Sequence, residues 1–346
     1  MRRSVTVSLL LLAAGTLASS CRTQHTPPPA APGPNGKLPP AHGSLRKVGL
    51  LVTGPVSDGG WNQLAWKGCQ LIKRKLGAAI NNQLVTQPEQ FEPSFRGYAA
   101  DGYDLVFGHG AEFSDAAMRV GPQFPKTKFV VTGGTARGGN VSHIKLGMEE
   151  GTYLLGIIAG SMTRTGKLAQ IGGTPLEPVK QAFAAFEKGV HSVNPRAVVT
   201  TAYIGNWNDA NAGKEQALAL IRAGADFIFP NADAAGNGVF QAVQENKAKG
   251  VLAFGANSDQ TPLAPDVILA SAVLDVPRAF LLVAESIRSG QFHGAPYIFG
   301  MKDQVVSVVY NPALKRKVPA AVQKKVDPAR AEILAGRLKL IQEERG

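Results

Sequence analysis

The chain has 346 residues, of which 44% are hydrophobic and 18% charged, so it is long enough for a globular protein with a sizeable core. Its formal net charge is +12, but the basic residues are scattered, with the densest groups at residues 315–317 and 324–325. Because no helix-turn-helix, zinc-finger or RNA-binding signature accompanies this charge, we expect no nucleic-acid partner, and the two cysteines exclude a disulfide-rich scaffold.

The first 21 residues have the pattern of a secretory signal peptide. Arg2 and Arg3 precede an apolar run at residues 5–14, which is too short for a permanent membrane-spanning helix. Small residues at 18–20 lead to Cys21, an order that resembles the lipobox of bacterial lipoproteins, although Ala18 stands where a lipobox usually has leucine. We expect Cys21 to carry the lipid; ordinary signal cleavage nearby is the alternative.

Residues 22–45 are rich in proline and polar residues and show no apolar periodicity. This composition predicts a tether between the membrane and a folded domain. At about 3.1 Å per residue, an extended polyproline-like chain of this length reaches on the order of 70 Å. We therefore expect a lipid-anchored protein whose folded part lies outside the cytoplasm, in the periplasm or at the cell surface.

From residue 46 onward, short apolar runs that are typical of strands alternate with amphipathic stretches that are typical of helices. The strand-like runs lie at residues 48–52, 105–108, 128–132, 168–172, 197–203, 226–230 and 250–255, and the helical patterns at 149–163, 177–193 and 208–223. This alternation predicts an α/β fold with parallel sheets covered by helices. About 300 residues is long for one doubly wound sheet and natural for two. Cys69, within an apolar helical pattern, is predicted to be a buried thiol.

The segment at residues 57–63 follows the first apolar run and leads into a helix, which is where open α/β sheets bind ligands. Asp58 can accept hydrogen bonds from a ligand, Asn62 can both donate and accept, and Trp61 offers a flat face to a planar ring. These side chains suit a heteroaromatic ligand. The alternative is structural, with Asp58 capping the helix and Trp61 packing in the core.

Polar or glycine-rich loops also follow several later strand-like runs, at residues 108–115, 205–209, 231–238 and 255–260. A single loop of this kind is explained by a turn with a helix cap. Their joint occurrence at successive strand ends favours a ligand site that is distributed over the loops.

In their order along the chain, these loops resemble the BMP (basic membrane protein) family of bacterial substrate-binding lipoproteins, the Med/PnrA-like group that feeds ABC transporters. The resemblance covers roughly residues 47–309. Its motifs are Asp-x-x-x-Asn-Gln at 58–63, Gly-x-x-Phe-Ser-Asp at 110–115, Glu-Glu-Gly-Thr-Tyr-Leu-Leu-Gly at 149–156, the helix segment 186–189, the loop 205–209 and Ala-Gly-Asn-Gly at 235–238. Each motif is weak alone, whereas their order and spacing are specific.

The resemblance implies a type I periplasmic-binding-protein fold, in which two doubly wound parallel-sheet lobes are joined by a three-strand hinge and close over the ligand. We expect the chain to cross between the lobes near residues 145–147, 255–257 and 297–300. The N-terminal lobe would then contain residues 46–146 and 257–297, and the C-terminal lobe residues 147–256 and 298–346.

In similar proteins the base is stacked between one aromatic side chain from each lobe, and the corresponding positions here are Trp61 and Trp207. The resemblance assigns Asp58, Asn62 and Asp115 to the edge of the base. The full set of expected ligand-binding residues is Asp58, Trp61, Asn62, Phe113, Asp115, Trp207, Asp209, Gly236, Asn257 and Asp259.

Two positions depart from the nucleoside-binding pattern of the family. Asn257 replaces the carboxylate that usually holds ribose hydroxyls, and Leu274 stands where the family has a lysine. A neutral amide forms weaker contacts than a charge-assisted pair, so a free base or a different heterocycle becomes a credible ligand.

The sequence gives little support to catalysis. It contains no His-x-x-x-His pair, no Gly-x-Ser-x-Gly elbow and no metal-spaced cysteines. Residues 160–167 fail as a phosphate loop, because Leu168 follows Lys167 where a serine or threonine would bind magnesium. We interpret His109 as a loop or packing residue, and we expect no enzyme activity, no metal and no cofactor.

The sequence thus predicts a monomeric, lipid-anchored receptor that captures a purine nucleoside or related heterocycle and delivers it to an ABC permease. Riboflavin and free nucleobases are alternative ligands, since two tryptophans can sandwich a larger ring. A second alternative is a ligand-responsive sensor or surface protein with the same fold.

Overall fold

The computed structural model of the protein describes residues 45–58 and 60–341. The predicted signal peptide, the predicted lipidation site at Cys21 and the predicted tether as far as residue 44 lie outside the described residues. Within them, twelve strands and nine α-helices follow one another along the chain. No helix in this part of the chain is both long and apolar enough to cross a membrane.

The strands are β1 (Lys47–Val52), β2 (Ala79–Leu84), β3 (Leu105–His109), β4 (Lys128–Thr132), β5 (Val141–Leu146), β6 (Lys167–Gly172), β7 (Val198–Tyr203), β8 (Phe227–Asn231), β9 (Leu252–Asn257), β10 (Ile268–Leu274), β11 (Tyr297–Phe299) and β12 (Val306–Tyr310). The helices are α1 (Trp61–Leu76), α2 (Phe91–Ala100), α3 (Ser114–Val120), α4 (Met148–Met162), α5 (Glu177–Val193), α6 (Ala210–Arg222), α7 (Gly236–Glu245), α8 (Val276–Arg288) and α9 (Ala320–Leu334).

The strands form two six-stranded sheets, with the orders β11-β5-β4-β3-β1-β2 and β12-β10-β9-β8-β6-β7. All pairings are parallel except that of β10 with β12. In each sheet the first strand, β1 or β6, lies beside the edge strand that follows it in the chain, and the later strands are added on its other side, as in a doubly wound sheet. The predicted α/β class with two parallel sheets is confirmed.

Three connections carry the chain between the sheets, namely β5 to α4 at Gly147, β10 to α8 at Asp275, and β11 to β12 through residues 300–305. They are hydrogen-bonded to one another: Gly147 N–H donates to the carbonyl of Phe299 at 2.8 Å, and Asp275 N–H donates to the carbonyl of Val305 at 2.7 Å. The first and third connections lie close to the predicted positions.

The second connection differs from the prediction, which placed it at residues 255–257. Those residues end β9, and β10 then pairs parallel to β9 in the same sheet. The chain leaves that sheet only at α8, whose Phe280 stacks on Phe107 of β3 with ring centroids 3.9 Å apart. Strand β10, which the expected boundaries assign to the N-terminal lobe, therefore lies in the second sheet, and the remaining lobe boundaries stay a prediction.

The central strands of both sheets are apolar at consecutive positions rather than at alternate ones. This is the pattern of a sheet that is covered on both faces. In β1, Leu50 and Leu51 are each fully buried but belong to different clusters of the core. In β8, Phe229 and Ile228 divide in the same way. Cys69 of α1 is fully buried in the first of these clusters, which confirms its predicted state.

Two of the sequence motifs pack helix α4 against helix α5. A Cβ added to Gly156 would collide with the carbonyl oxygen of Phe186, and one added to Gly189 would collide with the carbonyl oxygen of Tyr153. The glycines therefore allow the two backbones to meet directly. The motifs at 149–156 and 186–189 owe this part of their pattern to helix packing rather than to ligand contact.

Candidate functional site

The loops that carry the predicted site follow the carboxyl ends of parallel strands. In the first sheet, Val52, His109 and Thr132 are aligned in register at the ends of β1, β3 and β4. In the second sheet, Gly172 at the end of β6 is aligned with Asn231 at the end of β8. These are the edges at which doubly wound sheets bind ligands.

Asp58 shapes the loop between β1 and α1. Its carboxylate accepts hydrogen bonds from the backbone N–H groups of Gly60, Asn62 and Gln63 at 2.8, 3.0 and 3.0 Å. It also accepts one from the side chain of Asn62 at 2.9 Å. Burial raises the pKa of Asp58, but these hydrogen bonds outweigh it and hold the pKa below its ordinary value.

The structural alternative for Asp58 is therefore realised in this conformation. Each carboxylate oxygen accepts two hydrogen bonds from the loop itself, which fills the lone-pair positions that a base edge would use. Asn62, in contrast, has a buried side-chain oxygen without a hydrogen-bond partner among the described residues. The pair thus leaves the amide oxygen of Asn62 as an acceptor for a ligand N–H.

Trp61 lies against His109, with ring centroids 4.1 Å apart and planes inclined by 25°. His109 is fully buried, and its Nε2 lies 3.1 Å from the carbonyl oxygen of Trp61. Burial lowers the pKa of His109 to about 3, so the ring is neutral and Nε2–H donates to that carbonyl. His109 therefore stacks against one face of Trp61, whose side chain is partly exposed.

Phe113 does not line the site, contrary to the prediction. Its side chain is fully buried on the other side of the first sheet, where it contacts Phe91 and Phe95 at centroid distances of 4.4 and 5.9 Å. Phe113 turns inward although its neighbours in the loop are polar, because burial of its ring is more favourable than a contact at the loop surface. Asp115 itself is exposed in the first turn of α3.

On the second sheet, Trp207 and Asp209 lie in the loop between β7 and α6. The indole of Trp207 lies so close to Gly173 that a Cβ at that glycine would collide with the ring. The carbonyl of Trp207 accepts a hydrogen bond from Ala235 N–H at 2.9 Å, which joins this loop to the loop after β8. Asp209 caps α6 by accepting from Ala212 N–H at 3.0 Å.

The other predicted residues of the second sheet are Gly236, Asn257 and Asp259. Gly236 is buried at the start of α7. Asn257 has a positive φ of 67° and its side chain donates to that of Asn231 at 3.4 Å, whereas Asp259 accepts from the backbone and hydroxyl of Thr261. Asparagine tolerates this left-handed conformation better than most residues, so Asn257 suits its backbone position.

Leu274, which replaces the lysine of the family pattern, is buried at the end of β10 and belongs to the core. No cation enters the site from this position. A hydroxyl-rich ligand would therefore lack one of its expected charged partners here.

Asp233 is a further candidate site residue, which was not predicted from the sequence. It follows β8 at a positive φ of 46°, and no described residue forms a hydrogen bond with its carboxyl group. Burial, and after it the negative charge of Asp58, raises the pKa of Asp233 to about 6. This effect of Asp58 on Asp233 indicates that the loop after β1 lies near the loop after β8. The sequence feature that could have identified it is a single acidic residue among the alanines at positions 232–235.

Among the described residues, no three His, Cys, Asp or Glu side chains are grouped so that they could hold a metal ion. The arrangement offers two partly exposed indoles, one amide oxygen without a hydrogen-bond partner among the described residues and one half-buried carboxyl group. Such a set can stack on a planar ring and accept hydrogen bonds from its edge.

Comparison with known proteins identifies relatives across almost the whole described chain. The profile of the Bmp family, described as "ABC transporter substrate-binding protein PnrA-like", matches residues 45–340. A purine-binding protein of Brucella abortus is 28% identical over 295 residues, covering 84% of this chain and 82% of that protein. The transcriptional activator protein med of Bacillus subtilis is 26% identical over 271 residues, covering 78% and 83%.

Solved structures agree with the fold. An ABC transporter solute-binding protein of Aeropyrum pernix superposes with a TM-score of 0.77 at 20% identity, covering 87% of this chain and 94% of that one. The two sheets and their three connections thus form a type I periplasmic-binding-protein fold. With the family profile extending over residues 45–340, the chain belongs to the Bmp family of PnrA-like ABC transporter substrate-binding proteins.

Proposed function

We propose that this protein is a lipid-anchored, extracytoplasmic receptor that captures a purine nucleoside or a related heterocycle and delivers it to an ABC permease. The observation that carries the proposal is the pair of indoles, Trp61 and Trp207, at the ligand-binding edges of the two sheets. The relative from Brucella abortus, which is named a purine-binding protein, supports the same class of ligand.

The ligand would be held by stacking on Trp207 and on the face of Trp61 that is turned away from His109. The free oxygen of Asn62 accepts a hydrogen bond from an N–H group on the edge of the ring. A ligand that leaves this buried acceptor unpaired loses about 1 to 3 kcal/mol, which provides the selectivity. Asp58 acts by positioning Asn62 rather than by direct contact.

The receptor performs no chemistry on its ligand in this proposal. The one histidine at the site, His109, is neutral, fully buried and hydrogen-bonded to a backbone carbonyl. It is therefore a support for Trp61 and not a general base. The family itself is one of solute-binding proteins rather than of enzymes.

The sugar part of a nucleoside would meet neutral groups. Asn257 and Asn231 are hydrogen-bonded to each other, and Leu274 supplies no charge. Riboflavin and free nucleobases are the alternative ligands, since each has a planar ring that can stack on an indole.

The test is a thermal-shift and calorimetric screen of the purified protein against purine bases, their nucleosides, riboflavin and simple sugars. A ligand that binds only the folded state raises the melting temperature, by an amount that grows with its concentration above Kd. Stabilisation by nucleosides supports the proposal. Stabilisation by bases alone shows that the ligand is a free base and that the sugar is not accepted. Stabilisation by sugars alone contradicts the stacking geometry.

Lipid anchoring is tested separately, by metabolic labelling with a palmitate analogue. The parent chain should incorporate the label and remain with the membrane fraction, and Cys21→Ser should abolish both. Label in the Cys21→Ser variant would contradict the assignment of that residue.

A ligand-responsive sensor is the second candidate function, because the relative from Bacillus subtilis is named a transcriptional activator. The two functions differ in their partner. Uptake of labelled ligand that depends on this protein supports transport, whereas unchanged uptake together with a ligand-dependent change in gene expression supports sensing.

A further inference from the structure

A basic groove lies at the end of the second sheet that is opposite the candidate ligand site. It is a cavity of about 650 Å³ at the amino ends of β9 and β10, and its cationic lining residues are Arg164, Lys247, Arg316 and Lys317. Strands of six or seven residues separate it from the loops of the candidate site, a distance of about 20 Å. The groove is therefore a separate feature of the molecule.

The charge in the groove is not balanced by the residues that line it. Four lining side chains are cationic, and only Asp266 is anionic. Asp266 pairs with Lys247 at 3.0 Å. The side chains of Arg316 and Lys317 form no hydrogen bond or ion pair with any described residue. The groove thus has a net positive charge that an anion would neutralise.

Arg164 is held in place before any ligand arrives. Its backbone N–H donates to the carboxylate of Asp226 at 2.7 Å, and its guanidinium donates to the carbonyl of Lys249 at 2.6 Å. Gly250, with a φ of 76°, leaves room for the guanidinium, since a Cβ there would collide with it. One hydrogen bond to a carbonyl leaves the other N–H donors of Arg164 available.

The donor set fits phosphate better than it fits other common anions. A guanidinium presents a planar fork that matches two phosphate oxygens, and lysine ammonium groups add compact charges around the remaining ones. A volume of about 650 Å³ exceeds that of a single phosphate and accommodates the group esterified to it. Because the lining side chains are exposed, the ligand would be reached from solvent and bound in a salt-dependent manner.

We propose that the basic groove, lined by Arg164, Lys247, Arg316 and Lys317, binds a phosphate ester. The phosphate group comes either from a small soluble ester or from the headgroup of an anionic lipid. In both cases binding at the groove is independent of the solute that occupies the candidate site.

The test uses the purified full chain and two sets of probes. Calorimetry with inorganic phosphate and glycerol 3-phosphate measures the soluble source. Co-sedimentation with phosphatidylglycerol vesicles, compared with phosphatidylcholine vesicles, measures the lipid source. The groove variant is Arg316→Gln with Lys317→Gln, because neither side chain has a structural partner. The control variant is Lys324→Gln with Lys325→Gln, an exposed pair on α9 outside the groove that changes the net charge by the same amount.

We expect the parent and the control variant to bind alike and the groove variant to bind about tenfold more weakly or worse, with binding in all three falling as salt increases. Binding of glycerol 3-phosphate identifies a soluble ester, and binding of phosphatidylglycerol vesicles alone identifies a lipid headgroup. Equal weakening in the groove and control variants would show only a net-charge effect and overturn the proposal. Absence of binding to every probe would overturn it as well.

Discussion

Replacing Asp233 by asparagine should make the unliganded protein more stable. Asp233 is half-buried, its charge is repelled by that of Asp58, and its carboxyl group has no hydrogen-bond partner among the described residues. Asparagine keeps the shape of the side chain, removes the negative charge and tolerates the positive φ of 46°. The gain should therefore depend on whether the carboxyl group is ionised at the pH of measurement.

The magnitude follows from the pKa of Asp233, which is raised from 3.8 to about 6. Because the folded state holds this proton more tightly than the unfolded state, the stability from the neutral carboxyl is complete below about pH 3.8 and is lost as the pH rises through 6. A change of one in pKa corresponds to about 1.4 kcal/mol, so the full loss is at most about 3 kcal/mol. Asp233→Asn should recover about 3 kcal/mol at pH 7.5 and about half of that at pH 5.

Urea unfolding at pH 5 and pH 7.5, followed by tryptophan fluorescence, measures both gains. Asp101→Asn, an exposed aspartate in the turn after α2, provides a control that should change stability by less than about 0.5 kcal/mol at either pH. If Asp233→Asn stabilises equally at both pH values, or destabilises the protein, the carboxyl group is not held neutral by its surroundings and the reasoning fails.

Three further substitutions separate ligand contacts from structural ones. Trp207→Ala should weaken binding of the best ligand roughly tenfold to a hundredfold in calorimetry, since an aromatic stack is worth about 1 to 3 kcal/mol; unchanged affinity would remove the stacking model. Asp58→Ala should lower both the melting temperature and the affinity, because it leaves the N–H groups of the first loop unpaired at about 1 to 3 kcal/mol each where they are buried. An Asp58 variant that binds every ligand as the parent does would disprove its positioning role. Phe113→Ala should cost about 3 to 5 kcal/mol of unfolding free energy in urea, and a large loss of affinity in protein that remains folded would instead favour a ligand contact.

The elements that could be predicted most accurately from the sequence are those whose buried positions form a clear apolar pattern. Strands β1, β4 and β8 and helices α4 and α5 lie within two residues of their predicted positions, because their apolar periodicity reflects packing on the two sheets. Strand β2 escaped prediction since it reads Ala-Ile-Asn-Asn-Gln-Leu and lies mostly exposed at the edge of the first sheet. An edge strand is held mainly by backbone hydrogen bonds to its neighbour, and the side chains of such a strand give little indication of that pairing.

Within the candidate site, the sequence located the loops but not the orientation of each side chain. Asp58 was open to two interpretations because an aspartate before a helix can cap it or face a ligand, and only the hydrogen bonds of the loop distinguish these. Phe113 lies among polar residues in the chain, yet its ring turns toward Phe91 and Phe95. Asp233 escaped attention because its burial depends on the packing of residues distant in sequence.

The hydrogen bonds among the three connections bear on how this hinge can change over evolution. Gly147 is bonded to Phe299, at the end of β11, and Asp275 to Val305, so the segment at residues 299–305 is the common partner of the other two connections. A substitution that shifts the peptide groups of this segment alters the geometry of both remaining connections at once. Inherited changes in the angle between the lobes should therefore arise as coordinated replacements at several of these positions, whereas the loops of the candidate site can diversify one residue at a time.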